Sequence, residues 1–261
     1  MTQQIIVTGA AGRMGSTICN LVKQDPDLKL VAAIETPGSL NKIKGLDVLI
    51  TDSLRQAISE YSGATIIDFT YPDVTIGNVD IATEKNNPMV IGTTGLSNEQ
   101  MDHLKECAKN NPIFWAPNMS VGINVLLKLL PKFVDALGEL YDVEISEIHH
   151  RFKKDAPSGT ALKIAEVLAG SKKLGLDNIK YYRHGNIGER PRQEIGVQTL
   201  RGGDVVGDHT VYFFGPGERI EITHRAHSRE TFAQGGIRAA KWICNKKPGK
   251  LYTMSDLLED V

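Results

Sequence analysis

The 261-residue chain has only three cysteines, Cys19, Cys107 and Cys244, and they lie far apart in segments that read as helical. No Cys-x-x-Cys spacing occurs, so neither a zinc site nor a disulfide framework is supported, and no metal is expected. The three are expected to be reduced, partly buried thiols, because a free cysteine packs as a small hydrophobe. Long apolar runs are also missing. None approaches the roughly 20 residues that a membrane span needs. No basic leader precedes the first apolar run at Ile5, so the expectation is a cytoplasmic protein without a signal peptide. Charge of one sign is lacking too: 30 Lys and Arg stand against 31 acidic residues. That balance offers no basic field to nucleic acid or to an anionic membrane.

What the first half does have is a regular alternation of short β-rich runs and helical patterns. Strands are read at residues 4–9, 28–35, 47–52, 64–70, 88–94 and 112–117. Helices fall between them at 14–24, from near Ser53, at 73–86 and at 97–110. Strands alternating with helices of this length predict βαβ units and a parallel sheet covered on both faces. After "APNMS" the rhythm changes. A long apolar-periodic helix spans 121–137 with Pro131 inside it, and a strand follows at 141–150. The next helix, 158–169, is expected to close on Gly170 as a C-cap. Three alternating strands within 194–226, joined by Gly-rich turns, read as an antiparallel sheet. A last helix at 231–244 is expected to pack back on the first domain.

"GAAGRMG" at 9–15 follows the first strand and opens the first helix. Gly9 suits a tight turn, Gly12 lets a pyrophosphate approach the backbone, and Gly15 allows close helix–strand packing. The spacing is G-x-x-G-x-x-G, which is weak evidence by itself. Glu35 strengthens it, since an acid at the end of the second strand can bind the adenosine ribose hydroxyls. "IGTTG" and "APNMS" end two later strands at the carboxyl edge, where ligands bind in open α/β sheets. Gly92, Thr93 and Thr94 can face the nicotinamide half there, or form ordinary turns.

The densest chemistry is "EIHHRFKKDAPSGTAL" at 147–162. His149, His150 and Lys153 can donate or relay protons at neutral pH once their titration is tuned. Ser158 after Pro157 suits an N-cap, leaving the N–H groups of Gly159 and Thr160 to meet a carboxylate or phosphate. A solvated basic loop is the plainer alternative. A metal held by His149 and His150 is disfavoured, because adjacent strand residues point to opposite faces. His184, His209, His224 and His227 read as structural or interface residues. Arg183, Arg190, Arg192 and Arg201 either add positive potential near the same site or line a subunit contact.

Together "GAAGRMG", "IDFT", "VIGTTG", "APNMSVGIN", "EIHHRFKKDAPSGTA" and "ITHRAHSRETFAQGG" resemble the 4-hydroxy-tetrahydrodipicolinate reductase family, long called dihydrodipicolinate reductase, in family order over almost the whole chain. The resemblance implies NADH- or NADPH-dependent reduction of a cyclic unsaturated dicarboxylate to tetrahydrodipicolinate, in lysine and diaminopimelate biosynthesis. By that pattern His149 is the proton donor/acceptor and Lys153 the proton donor, while His150, Gly159 and Thr160 bind substrate. The dinucleotide is assigned to Gly9, Ala10, Ala11, Gly12, Arg13, Met14, Glu35, Gly92, Thr93, Thr94, Ala116, Pro117, Asn118 and Met119. The implied fold is α/β. It joins a Rossmann-like parallel-sheet dinucleotide-binding domain to an α+β substrate-binding and oligomerisation domain with a mixed or antiparallel sheet. The first is expected at residues 1–121 with 230–261 packing back on it, and the second at 122–229. A homotetramer is implied. Many members carry Arg directly after the acid of the second strand; here Thr36 and Pro37 stand there, which leans the expectation toward NADH. Rival readings are another two-domain NAD(P)-dependent reductase, aspartate-dehydrogenase-like or sugar-dehydrogenase-like, and a non-catalytic NAD(H)-sensing protein.

Overall fold

The computed structural model describes residues 2–259; residue 1 and residues 260–261, the outer ends of the expected first domain, lie outside the described residues. Two compact units are present, Met1–Val121 with Glu230–Val261, and Gly122–Arg229.

The first unit opens with β1 (Gln3–Thr8), α1 (Arg13–Gln24), β2 (Leu28–Ile34) and β3 (Leu49–Thr51). It continues through α2 (Leu54–Glu60), β4 (Thr65–Asp68), α3 (Pro72–Lys85), β5 (Met89–Ile91), α4 (Asn98–Cys107) and β6 (Ile113–Trp115). Alternation along β1 explains its unbroken apolar run. Ile5 and Val7 enter one core cluster with Ile18 and Val22 of α1, while Ile6 enters another with Ile58 of α2 and Val79 of α3. A strand buried on both faces needs no polar positions. Caps fix the helix starts: Ser53 accepts from Gln56 N, and Ser97 forms a full capping box with Gln100.

The second unit holds α5 (Val121–Leu137, whose first residue belongs to the first unit), β7 (Asp142–His149), α6 (Gly159–Ser171), β8 (Ile179–Lys180), β9 (Ile195–Arg201), β10 (Gly207–Gly215) and β11 (Glu218–Ala226). Its sheet runs β11-β10-β7-β9-β8 and is mixed. β10 pairs antiparallel with β11 and β7, whereas β9 runs parallel to both β7 and β8. The expected antiparallel trio therefore holds only for β10 and β11. β9 returns beside β7 through the α6 crossover, which makes it parallel and separates it from β10. Leu130 of α5 and Ile164 and Leu168 of α6 pack with Val143, Ile145, Val197 and Val211 of the sheet.

Gly170 does not cap α6; it lies inside the last turn. Lys173 takes the left-handed conformation (φ 55°) instead. Leu174 N donates to Ala169 O and Lys173 N to Gly170 O, so two end carbonyls are satisfied three residues later than expected. Leu174 then packs on the core, which favours the longer helix.

The chain returns to the first unit with α7 (Glu230–Ile243), β12 (Leu251–Tyr252) and α8 (Met254–Glu259). β12 adds a seventh parallel strand, giving the order β12-β6-β5-β4-β1-β2-β3.

Candidate functional site

In the first unit, the loop after β1 is fixed by close backbone approaches. Gly9 takes a left-handed conformation (φ 69°), and a Cβ at Gly15 would lie 2.1 Å from Gly9 O. The start of α1 therefore packs directly on the turn, as the glycine spacing requires. Gly12 is the N-cap of α1 and supplies no side-chain acceptor. Glu35 closes the loop from β2: Oε2 accepts Ala11 N at 2.9 Å, and Oε1 accepts Thr36 N at 2.9 Å.

A cleft of about 980 Å³ opens over this loop. Gly9, Ala11, Gly12, Arg13, Met14 and Glu35 line it, with Thr36, Ser39 and Lys42 beyond the acid and Phe69 and Thr70 on the opposing wall. The volume suits an organic ligand of cofactor size. Ala10 is buried beneath the loop (3% exposed). Gly92, Thr93, Thr94, Ala116, Pro117, Asn118 and Met119 do not line the cleft.

Thr93 is tied into the interior of the first unit. Its hydroxyl donates to Asp68 at 2.9 Å, in a network where Asp68 also accepts from Thr8, Thr70, Thr75 and Asn78. Asp68 is fully buried and locks the carboxyl ends of β1, β4 and β5 together. Asn118 Oδ1 accepts Ser120 N, while Ala116 and Met119 are buried.

The second unit places its chemistry at the end of β7. Val143, Ile145, Glu147 and His149 are the buried positions of that strand, so the period of two carries an apolar row into a carboxylate and an imidazole. Glu147 is fully buried and His149 is 8% exposed. His149 Nδ1 lies 2.5 Å from Glu147 Oε2. Arg201 of β9 reaches the same carboxylate with both terminal nitrogens, each at 2.9 Å. Ser158 N donates to Glu147 Oε1 at 2.9 Å, which ties the start of α6 to the pair. Ser158 is the N-cap, accepting from Ala161 N at 3.1 Å, and its hydroxyl also lies 3.1 Å from His209 Nε2. The rings of His149 and His209 pack edge to face at 5.1 Å.

Burial raises the Glu147 acid, but its bonds to Arg201, His149 and Ser158 N outweigh that and hold it below the usual carboxylate range. Burial lowers His149, assisted by Lys153 and Arg201 and opposed by Glu147. His209 is pushed down to about 3, mainly by burial and next by His149. An ionised carboxylate only accepts, so His149 carries its proton on Nδ1 when neutral and presents Nε2 for exchange.

Lys153 is one-fifth exposed and pairs with Asp155 at 3.0 Å. Gly159 is exposed with open space beside its Cα, and Thr160 is half-buried. His150 is half-buried, and its Nδ1 has no hydrogen-bond partner among the described residues. The structure thus gathers His149, Lys153 and the α6 start around Glu147. Glu147 and Arg201 are the residues that sequence reasoning missed or left ambiguous. Two-residue alternation from His149 was the available signal for Glu147. Arg183 and Arg190 are committed elsewhere, to Glu144 at the opposite end of β7.

The chain matches the family models "Dihydrodipicolinate reductase, N-terminus" over residues 3–119 and "Dihydrodipicolinate reductase, C-terminus" over residues 122–258. It belongs to the dihydrodipicolinate reductase family. A 4-hydroxy-tetrahydrodipicolinate reductase of Oleidesulfovibrio alaskensis is 53% identical, covering 99% of this chain and 100% of that protein. One from Myxococcus xanthus is 45% identical, covering 97% and 96%. Among solved structures, a dipicolinate-bound dihydrodipicolinate reductase from Paenisporosarcina sp. TG-14 superposes with a TM-score of 0.78 at 25% identity, covering 97% of this chain and 98% of that one. A myo-inositol 2-dehydrogenase from Lactobacillus plantarum, 16% identical with a TM-score of 0.61 and covering 99% and 94%, shares the fold alone. Family membership decides against the sensor and the other reductases.

Proposed function

We propose that the chain catalyses NAD(P)H-dependent reduction of the cyclic unsaturated dicarboxylate of lysine and diaminopimelate biosynthesis to tetrahydrodipicolinate. The observation that carries the reading is the buried Glu147 carboxylate, which joins His149 to the N-terminus of α6. The bound nicotinamide supplies a hydride to a conjugated ring carbon, and the enamine system beside that carbon then takes up a proton. The glycine loop and Glu35 hold the dinucleotide at the first-unit cleft. At α6, the oriented N–H groups of Gly159 and Thr160 and the Thr160 hydroxyl take a substrate carboxylate. His149 exchanges a proton at Nε2, and Lys153 acts as the proton donor once the dianion draws it from Asp155. The same dianion offsets the desolvation that depresses His149, so substrate promotes the charged imidazole. Positioned acid catalysis of this kind is worth roughly 10²- to 10⁴-fold.

The test is NAD(P)H oxidation by the purified chain with substrate freshly generated by a coupled synthase. No substrate-dependent oxidation overturns the reading. A homotetramer is part of the same reading, supported by the exposed Leu129 and Phe133 of α5 and Phe214 of β10; a stable monomer in micromolar light scattering would refute it. A cytoplasmic location fits three free cysteines, and no described helix is long and apolar enough to cross a membrane. NADH is proposed to serve at least as well as NADPH, because Glu35 faces the cleft beside an uncharged Thr36.

A further inference from the structure

Packing of α3 against α4 brings Asp80 of α3 beside His103 and Cys107, which lie one turn apart on α4. One ligand atom from each lies within 4.8 Å of the other two. We propose that this triad binds a divalent transition cation of the zinc class, with water completing the fourth position.

Geometry supports the assignment first. His103 and Cys107 are four residues apart on one helix, so they share a face one turn apart. His103 Nε2 is the central atom, 2.7 Å from Asp80 Oδ1 and 3.6 Å from Cys107 Sγ. A tetrahedral ion with Zn–N of about 2.0–2.1 Å and Zn–S of about 2.3 Å sets an N···S edge of roughly 3.5–3.6 Å. That edge is already in place. The corresponding N···O edge is about 3.3 Å, so the Asp80 carboxylate retreats by about 0.6 Å to admit the ion. Asp80 is 56% exposed at its side chain and has room to turn. Its hydrogen bond to His103 is exchanged for two coordinate bonds.

The ligand types select the cation. Thiolate and imidazole suit Zn²⁺, Co²⁺ and their neighbours, whereas Mg²⁺ and Ca²⁺ require oxygen sets. On binding, the Cys107 S–H bond breaks, the sulfur lone pair coordinates, and the proton passes to solvent. His103 ligates through the Nε2 lone pair with its own proton on Nδ1. All three groups stand on helices, which limits the ordering needed to close the site. The consequence for the fold is a clamp between α3 and α4. α3 also contributes Val74, Asn78 and Ile81 to the cleft above the glycine loop, so the clamp would stiffen one wall of it.

The full chain, reduced and stripped with chelator, is titrated with Co²⁺ and then with Zn²⁺. One saturable equivalent of Co²⁺ should appear with a thiolate-to-cobalt charge-transfer band and tetrahedral d–d bands. Zn²⁺ should displace it and raise Tm. Cys107→Ser should abolish the charge-transfer band, and Asp80→Asn and His103→Ala should each weaken binding roughly tenfold or more. None of the three residues belongs to the catalytic cluster, so NAD(P)H oxidation in chelator should match the parent in every variant, which confirms folding. Absence of saturable Co²⁺ uptake overturns the proposal. So does a charge-transfer band that survives Cys107→Ser, since Cys19 or Cys244 would then hold the metal.

Discussion

Glu147 Oε2 and His149 Nδ1 lie 2.5 Å apart on the buried face of one strand, and the same carboxylate accepts the backbone N–H of Ser158. One charge therefore orients both the ring proposed to exchange a proton and the helix start proposed to bind the anion. Glu147→Gln keeps the size and one acceptor but removes the charge. Because Glu147 raises the His149 pKa against the lowering effect of burial, its neutralisation lets that pKa fall further. The limb of the kcat profile that depends on protonated His149 should move to lower pH. kcat near neutrality should drop roughly tenfold or more, with the Kd for NADH unchanged. A drop without movement of the limb would mean that Glu147 matters only for folding.

Replacing His149 or Lys153 by Ala should lower turnover far more than dinucleotide affinity, by roughly 10²-fold or more. The two proposed binding sites lie on different units, so an acid lost from the second should leave NADH titration of the first intact. Near-normal kcat in both variants would remove them from the proton-transfer step.

The glycine loop, Glu35 and Ser158 were legible because each acts locally: a turn, a strand end, a cap. Gly9 needs a left-handed backbone and Gly15 a bare Cα, and both requirements appear directly in residue type. Arg201 was not legible as the partner of Glu147, since 54 residues separate them. Only the parallel register of β7 with β9 joins them. That register was obscured because the Gly-rich turns around residues 202–203 suggested a hairpin to β10. The bond from Thr93 to Asp68 was not legible for a similar reason: nothing local shows that Asp68 is buried beside it.

Acid should destabilise the fold well above the carboxylate range. His209 has a folded pKa of about 3, held there mainly by burial, against about 6.5 unfolded. Below pH 6.5 the unfolded chain therefore binds a proton that the folded chain refuses. Stability then falls by about 1.4 kcal/mol per pH unit for this group. His149 and His224, also depressed by burial, act with the same sign. Urea unfolding between pH 6.5 and 5 should show this slope, and His209→Gln should reduce it by about one proton. An unchanged slope in that variant would show that His209 titrates normally when folded.

Glu35 accepts Ala11 N and Thr36 N, so its carboxylate is fixed at the cleft; in the proposed dinucleotide site its charge would repel a 2′-phosphate. Lys42 lines the same cleft but donates to Ser39 Oγ at 3.0 Å. It can answer a phosphate only as a flexible point charge. The ratio of kcat/KM for NADPH to NADH should rise about tenfold in Glu35→Gln, worth about 1.4 kcal/mol. A wild-type preference for NADPH above tenfold would show that Lys42 outweighs Glu35.

Gly207 of β10 gives the most local test of the His149 assignment. A Cβ built there would lie 2.9 Å from His149 Nε2, the nitrogen left for proton exchange once Nδ1 faces Glu147. Gly207 is buried, and its φ does not lie in the left-handed region, so alanine meets no backbone penalty. The added methyl acts through contact alone. The ring must rotate away and strain the bond to Glu147, or stay and have Nε2 covered. Either response hinders proton transfer. Gly207→Ala should lower kcat roughly tenfold or more while leaving NADH affinity unchanged, because the cleft proposed for the dinucleotide belongs to the other unit. The cost in stability should stay within about 1–3 kcal/mol, as for one methyl forced into a packed site. Unchanged kcat in a folded Gly207→Ala protein would show that the proton does not pass through Nε2.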